Sequence, residues 1–196
     1  MRLLILHTFA YLFIGLTSWV CTLITPLRWW DLGLSLSFYP EWDKVLYHPW
    51  SLVTYALPHL NFFHFFGNMC LVYALLPVMA YRLGTRRFLW TYIGGIIAGA
   101  LTYLLGYQLL GAQIIPPLSL QGASAAILSV CAATVMVDRK ILSSFTLRFT
   151  GNRIPPIALW GFLFLVFLGA GRGNLGGHLA HLGGLLFGIA CGLYYR

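Results

Sequence analysis

The chain has 196 residues, 60% of them hydrophobic and only 8% charged, with a mean hydropathy of +0.82. A soluble domain carries about 25% charged residues, so these figures exclude an ordinary soluble protein and indicate a polytopic membrane protein. The formal net charge of +8 does not signal nucleic acid, because the twelve Lys and Arg residues are scattered between apolar runs rather than gathered in a basic stripe.

Residues 3–25 form the first apolar run, and at about 1.5 Å per residue they are long enough to cross a bilayer. Arg2 in front would also suit a signal peptide. The apolar character, however, runs past Trp19, Val20 and Cys21 without an A-x-A-like cleavage site, so a retained helix is expected. The loop 26–50 then holds Asp31, Glu41 and Asp43 together with Trp29, Trp30, Trp42 and Trp50, with Trp19 just before it. Aromatic residues mixed with a few charges favour the bilayer interface, and the loop is long enough to carry structure of its own.

Further apolar runs at 58–81, 88–110, 118–137, 155–170 and 176–195 complete six expected spans, the fifth being short. Counting Lys and Arg in alternate loops gives Arg2, Arg82, Arg86, Arg87, Arg139, Lys140, Arg148, Arg153 and Arg196 on one side and Arg28, Lys44 and Arg172 on the other. That imbalance predicts both termini in the cytoplasm. Cys21, Cys70, Cys131 and Cys191 each lie inside an apolar run without close spacing, which points to buried small hydrophobes rather than a metal site or disulfides. No internal repeat or soluble segment interrupts the pattern, so residues 1–196 read as one all-α membrane domain.

With this topology the second, fourth and sixth spans run from outside to inside, and each carries polar residues near its outer end. These are His59, Asn61, His64 and Asn68, then Ser124, then His178 and His181. Ser124 follows Pro117 by seven positions, His64 follows Pro58 by six and His181 follows Gly176 by five. At helical rise the three lie roughly 7 to 11 Å below their span starts, so they share a depth. Polar side chains at such positions face the protein interior or a wet cavity, since lipid exposure is costly.

Spacing orients them. His64 and Asn68, four apart, share a helical face. Ala180, Gly184, Gly188 and Gly192 recur every four residues as a smooth strip beside His181, and Gly122, Ala125, Ala126, Ser129 and Ala133 offer a matching strip around Ser124. Packing strip on strip would carry His181 towards Ser124. The small residues around Ser124 fit plain helix packing as well as an uncrowded nucleophile.

A serine hydroxyl becomes a useful nucleophile when a base takes its proton, and neutral histidine suits that role. His181 is the candidate base, with the amide of Asn68, the imidazole of His64 and the Ser124 backbone N–H as candidate donors to an oxyanion. Asp31, Glu41 and Asp43 lie in the first loop and Asp138 is about 21 Å further along the fourth span, so a catalytic group here is a Ser-His dyad.

These residues resemble the rhomboid intramembrane serine proteases. Gly122-Ala123-Ser124-Ala125 looks like their GxSx nucleophile motif, Ala180-His181-Leu182-Gly183-Gly184 with Gly188 like their AHxxGxxxG segment, and His59, His64 and Asn68 like their HxxxxHxxxN pattern. The resemblance implies a six-helix rhomboid-like bundle and hydrolysis of a peptide bond in or near the transmembrane segment of a membrane-protein substrate. It implies Ser124 as nucleophile, His181 as base, and His64, Asn68 and Gly122 at the oxyanion and substrate site, with His59 in support. No cofactor, metal or nucleic acid is called for; the partners are transmembrane substrates and the lipid bilayer. A bacterial inner membrane, with the site open to the outer side, is the expected location.

The chain departs from that pattern in three places. Ala125 follows the serine where glycine is commoner, Trp50-Ser51 stands where many members have Trp-Arg, and Ala80 takes the place of an acidic residue. Other readings attach to particular residues. His59 near an interface would simply bond a loop backbone, His178 lies one turn before His181 at the aqueous edge, and His64 and Asn68 would also serve as interhelical glue. Arg82, Arg86 and Arg87 read as a headgroup-facing cluster outside the site; Trp160, Phe162, Phe164 and Phe167 would face lipid or gate lateral entry. Two other functions remain on the sequence alone: a non-catalytic rhomboid-like protein that binds transmembrane segments, and a small transporter or metal carrier using His59, His64, His178 and His181 as ligands.

Overall fold

A computed structural model of the chain describes residues 2–24, 32–141 and 174–196. The expected span 155–170, with Trp160, Phe162, Phe164 and Phe167, lies outside the described residues, as do Arg28, Trp29, Trp30, Asp31, Arg148, Arg153 and Arg172. The described elements are helices, in the order α1 (Arg2–Ile24), α2 (Leu32–Leu36), α3 (Trp42–Tyr47), α4 (Ser51–Thr54), α5 (Phe62–Ala74), α6 (Leu76–Leu83), α7 (Thr85–Leu110), α8 (Ser124–Val137) and α9 (Leu175–Tyr195).

Three helical stretches are long and apolar enough to cross a membrane: Arg2–Val20, Thr85–Leu110 and Leu175–Tyr195. The expected second span is a bent pair, α5 and α6, meeting at 42°. The bend has a covalent cause: Pro77 lacks an N–H and its ring would crowd the carbonyl of Tyr73, so the hydrogen-bond ladder breaks and restarts at Leu76. Its ends are set locally, since the side chain of Asn61 caps α5 by accepting from the His64 N–H at 2.9 Å. Asn174 does the same for α9 through the Gly177 N–H.

The fourth expected span differs most from its sequence reading. Residues 118–123 are not helical, and α8 begins only at Ser124. Phe38 and Leu120 exchange both backbone hydrogen bonds, 3.2 and 2.8 Å, holding this stretch extended against the first loop. Gly122 then turns with φ +106°, a region open mainly to glycine, before the helix starts. The loop therefore does carry structure: α2 and α3 sit in it, Trp50 donates its indole N–H to Ser35, and Thr54 bonds Leu36.

The centre of the molecule is α8, buried along nearly its whole length from Ser124 to Thr134. Helix α9 approaches it closely enough that a Cβ on Gly184 would run into the Ala125 carbonyl, and one on Gly188 into that of Ser129. On its other side Gly95 of α7 faces Ser129 and Gly99 faces Ala125 and Tyr55. Small residues let three backbones close in, which is how apolar helices gain dispersion contacts when lipid is as apolar as they are. Outward faces are the reverse. Ile5, Phe9, Leu12 and Leu16 of α1 are all more than half exposed, as suits a lipid-facing surface.

Candidate active site

The segment before Ser124 is clamped from three sides. Gly122 donates its N–H to the Tyr55 carbonyl at 2.8 Å, the Gln121 amide donates to Ser37 at 2.9 Å, and the Tyr103 hydroxyl reaches the carbonyls of Pro116 and Leu118. Ser124 is thereby fixed as the first residue of α8. The preceding residue, Ala123, provides no side-chain cap, so the first N–H groups of the helix are left without the usual partners.

Across the α8–α9 contact, Ser124 Oγ lies 2.6 Å from His181 Nε2. Both side chains are buried. With the serine hydroxyl donating, Nε2 is the unprotonated ring nitrogen. The pair borders a cavity of about 370 Å³ whose wall also includes His64, Asn68, Gly122, Tyr55, Gln121 and Asn174.

His64 and Asn68, on one face of α5, stand directly over Gly122. A Cβ there would lie 2.7 Å from His64 Cε1, 2.8 Å from its Nε2 and 3.1 Å from Asn68 Nδ2. Glycine at 122 is thus demanded twice, by its φ and by the two side chains above it. Asn68 is 2% exposed, and its Nδ2 has no hydrogen-bond partner among the described residues. A buried amide donor left unpaired is costly.

His59 and His178 do not line this cavity. His59 does bond a loop backbone, its Nδ1 donating to the Leu57 carbonyl at 3.0 Å, and it is buried. Its ring meets that of His64 edge-on, centroids 5.2 Å apart. Behind it stands His7 of α1, 1% exposed, bonded through Nε2 to the Tyr92 hydroxyl at 2.8 Å and edge-on to His59. His7 is not among the sequence candidates above. A single histidine in an otherwise apolar span was the available signal.

Ala125 is accommodated rather than intrusive. It is 2% exposed, and its methyl points at Gly99 of α7, where a Cβ would come within 3.0 Å of it. The space that glycine after the serine would leave on α8 is supplied instead by glycine on α7. No cluster of three or more His, Cys, Asp or Glu side chains with metal-holding geometry occurs among the described residues.

The arrangement has a hydroxyl paired with an imidazole, an uncapped helix start and an unpaired amide donor around one cavity. That set suits attack on a carbonyl and stabilisation of the oxyanion that results. Residues 47–196 match the family model described as Rhomboid domain. No curated protein and no solved structure matches the chain. The family match, together with the long apolar helices, makes this an integral membrane protein.

Proposed function

The chain belongs to the rhomboid family, and from that premise we propose that it is an intramembrane serine protease working through a Ser124–His181 dyad. The observation that carries this reading is the 2.6 Å contact between Ser124 Oγ and His181 Nε2 beside a cavity. Most of the family are serine proteases acting on transmembrane substrates and some members are inactive. An intact hydroxyl–imidazole pair supports placing this chain with the former.

In the proposed reaction Ser124 Oγ attacks the scissile carbonyl carbon while His181 Nε2 takes its proton. The negative oxygen is met by the N–H of Ser124 at the positive end of α8 and by Asn68 Nδ2, with His64 beside them. Collapse breaks the C–N bond, His181 returns the proton to the leaving amine, and an acyl-enzyme ester remains on Ser124. Water then adds to the ester with His181 again as base, releasing the acid and restoring the hydroxyl. The polar wall of Gln121, Asn61 and Asn174 suits the entry of that water.

We further propose six spans in a single domain with both termini on the cytoplasmic side, as the distribution of Lys and Arg supports; the site then opens outward. The test is purified protein in liposomes with a membrane-anchored substrate, parent beside Ser124→Ala and His181→Ala. Each variant should lose essentially all cleavage, and the double variant little more, because the two groups act as a unit. Undiminished cleavage by Ser124→Ala would refute the assignment.

A further inference from the structure

A groove of about 1100 Å³ runs between α7 and α9, from Arg86 and Arg87 at the start of α7 to Leu101. Its mouth carries Arg86 and Arg87 and its trench is apolar. We propose that this groove is a binding site for one anionic glycerophospholipid, its phosphate held by Arg86 and Arg87 and an acyl chain laid along Ile93, Ile97 and Leu101.

Charge accounting selects the headgroup. Of the described acidic residues, only Asp138 reaches a basic partner, and that partner is Arg82, at 2.8 Å. Arg86 and Arg87 have no carboxylate within ion-pair distance among the described residues. Both are exposed. Arg87 is also held in place: its guanidinium lies over the Tyr195 ring, 5.1 Å from the centroid, and the Tyr195 hydroxyl is 3.2 Å from Thr91 Oγ1. A guanidinium fixed by stacking keeps its N–H fork free for a phosphate.

Length selects the tail. Ile93, Ile97 and Leu101 recur every four residues and so form one stripe on α7. From Arg87 to Leu101 the helix advances about 21 Å, against about 15 Å for half the hydrocarbon thickness. A trench of that length takes a single acyl chain of one leaflet. Trp90 and Tyr194, 66% and 87% exposed, stand at the arginine level, where indole and phenol rings favour the headgroup boundary. Phe187 of α9 lies against Gly94 and forms part of the groove wall.

Native mass spectrometry of the full chain, released from detergent with phosphatidylglycerol or phosphatidylcholine of matched chains, tests this directly. One phosphatidylglycerol should be retained with roughly 10- to 30-fold preference, as expected for two basic residues facing one anionic headgroup. The double variant Arg86→Gln/Arg87→Gln should bind both lipids alike. Inorganic phosphate at equal concentration should not displace the lipid, because it lacks the chain. Equal retention of the two lipids by the parent would overturn the proposal. So would a preference surviving in the double variant, or a dimer of this chain that lipid does not dissociate. None of these readouts involves cleavage, so their outcome is separate from that of the protease reading.

Discussion

Replacing Gly184 by Ala should disable the site without touching either member of the dyad. Gly184 lies three residues beyond His181 on α9, and a Cβ there would sit 2.9 Å from the Ala125 carbonyl carbon and 3.1 Å from its Cα, with the carbonyl oxygen nearer still. Ordinary contact begins at 3.4 Å, and the obstacle is the backbone of a buried helix rather than the end of a mobile side chain. The least adjustment is therefore a retreat of α9 by about 0.5 to 1 Å, at a cost of about 1–3 kcal/mol for overpacking. Applied to a Ser124–His181 separation of 2.6 Å, that retreat stretches it to roughly 3.1–3.6 Å, the outer edge of a hydrogen bond. A misplacement of this size costs up to about 100-fold in rate. The assay is initial cleavage rate in liposomes, with Ser124 labelling by a fluorophosphonate as a second measure of nucleophile activation. Gly15→Ala is the control, because nothing lies within 4 Å of a Cβ at that position. A Gly184→Ala enzyme with parental kcat would refute the packing argument.

Other substitutions probe the site wall and its support. Asn68→Ala should lower kcat by about 100- to 1000-fold with little change in KM, the loss expected for one oxyanion donor; a change confined to KM would assign Asn68 to ground-state binding instead. Gly122→Ala combines a φ of +106° with a clash against His64 and Asn68, so activity should fall even in protein that purifies normally by size exclusion. Tyr92→Phe leaves a buried nitrogen of His7 without its partner and should cost about 1–3 kcal/mol of stability. Thermal unfolding in detergent measures this, and an unchanged midpoint would show that the bond contributes nothing net.

The sequence was most informative where covalent pattern meets the demands of a bilayer. Apolar runs of sufficient length mark α1, α7 and α9 to within a few residues, because about 20 apolar residues have few alternatives to helix. Four-residue spacing of small residues foretold the α8–α9 contact, since a strip without side chains is where two backbones can meet. The polar residues were legible as a group for the same reason: in so apolar a chain each needs a purpose.

What lay beyond the sequence depends on residues far apart in the chain. An apolar run from 118 to 137 reads as one span, yet α8 begins at Ser124. Phe38, some eighty positions earlier, pairs with Leu120 and holds the preceding stretch extended, and Tyr55 accepts the Gly122 N–H. That shift puts Ser124 on the first turn of its helix, with uncapped N–H groups beside it. The methyl of Ala125, where glycine is commoner, has its room from Gly99 on a different helix. His7 stands in the sequence as a lone histidine in an apolar run, and its partners are set only where α1 brings it against His59 and Tyr92. Local composition decides which segments become buried helices, because hydrophobic period and length are properties of the segment itself. Where a helix begins, and which side chains share its wall, is decided by partners that only folding brings within reach.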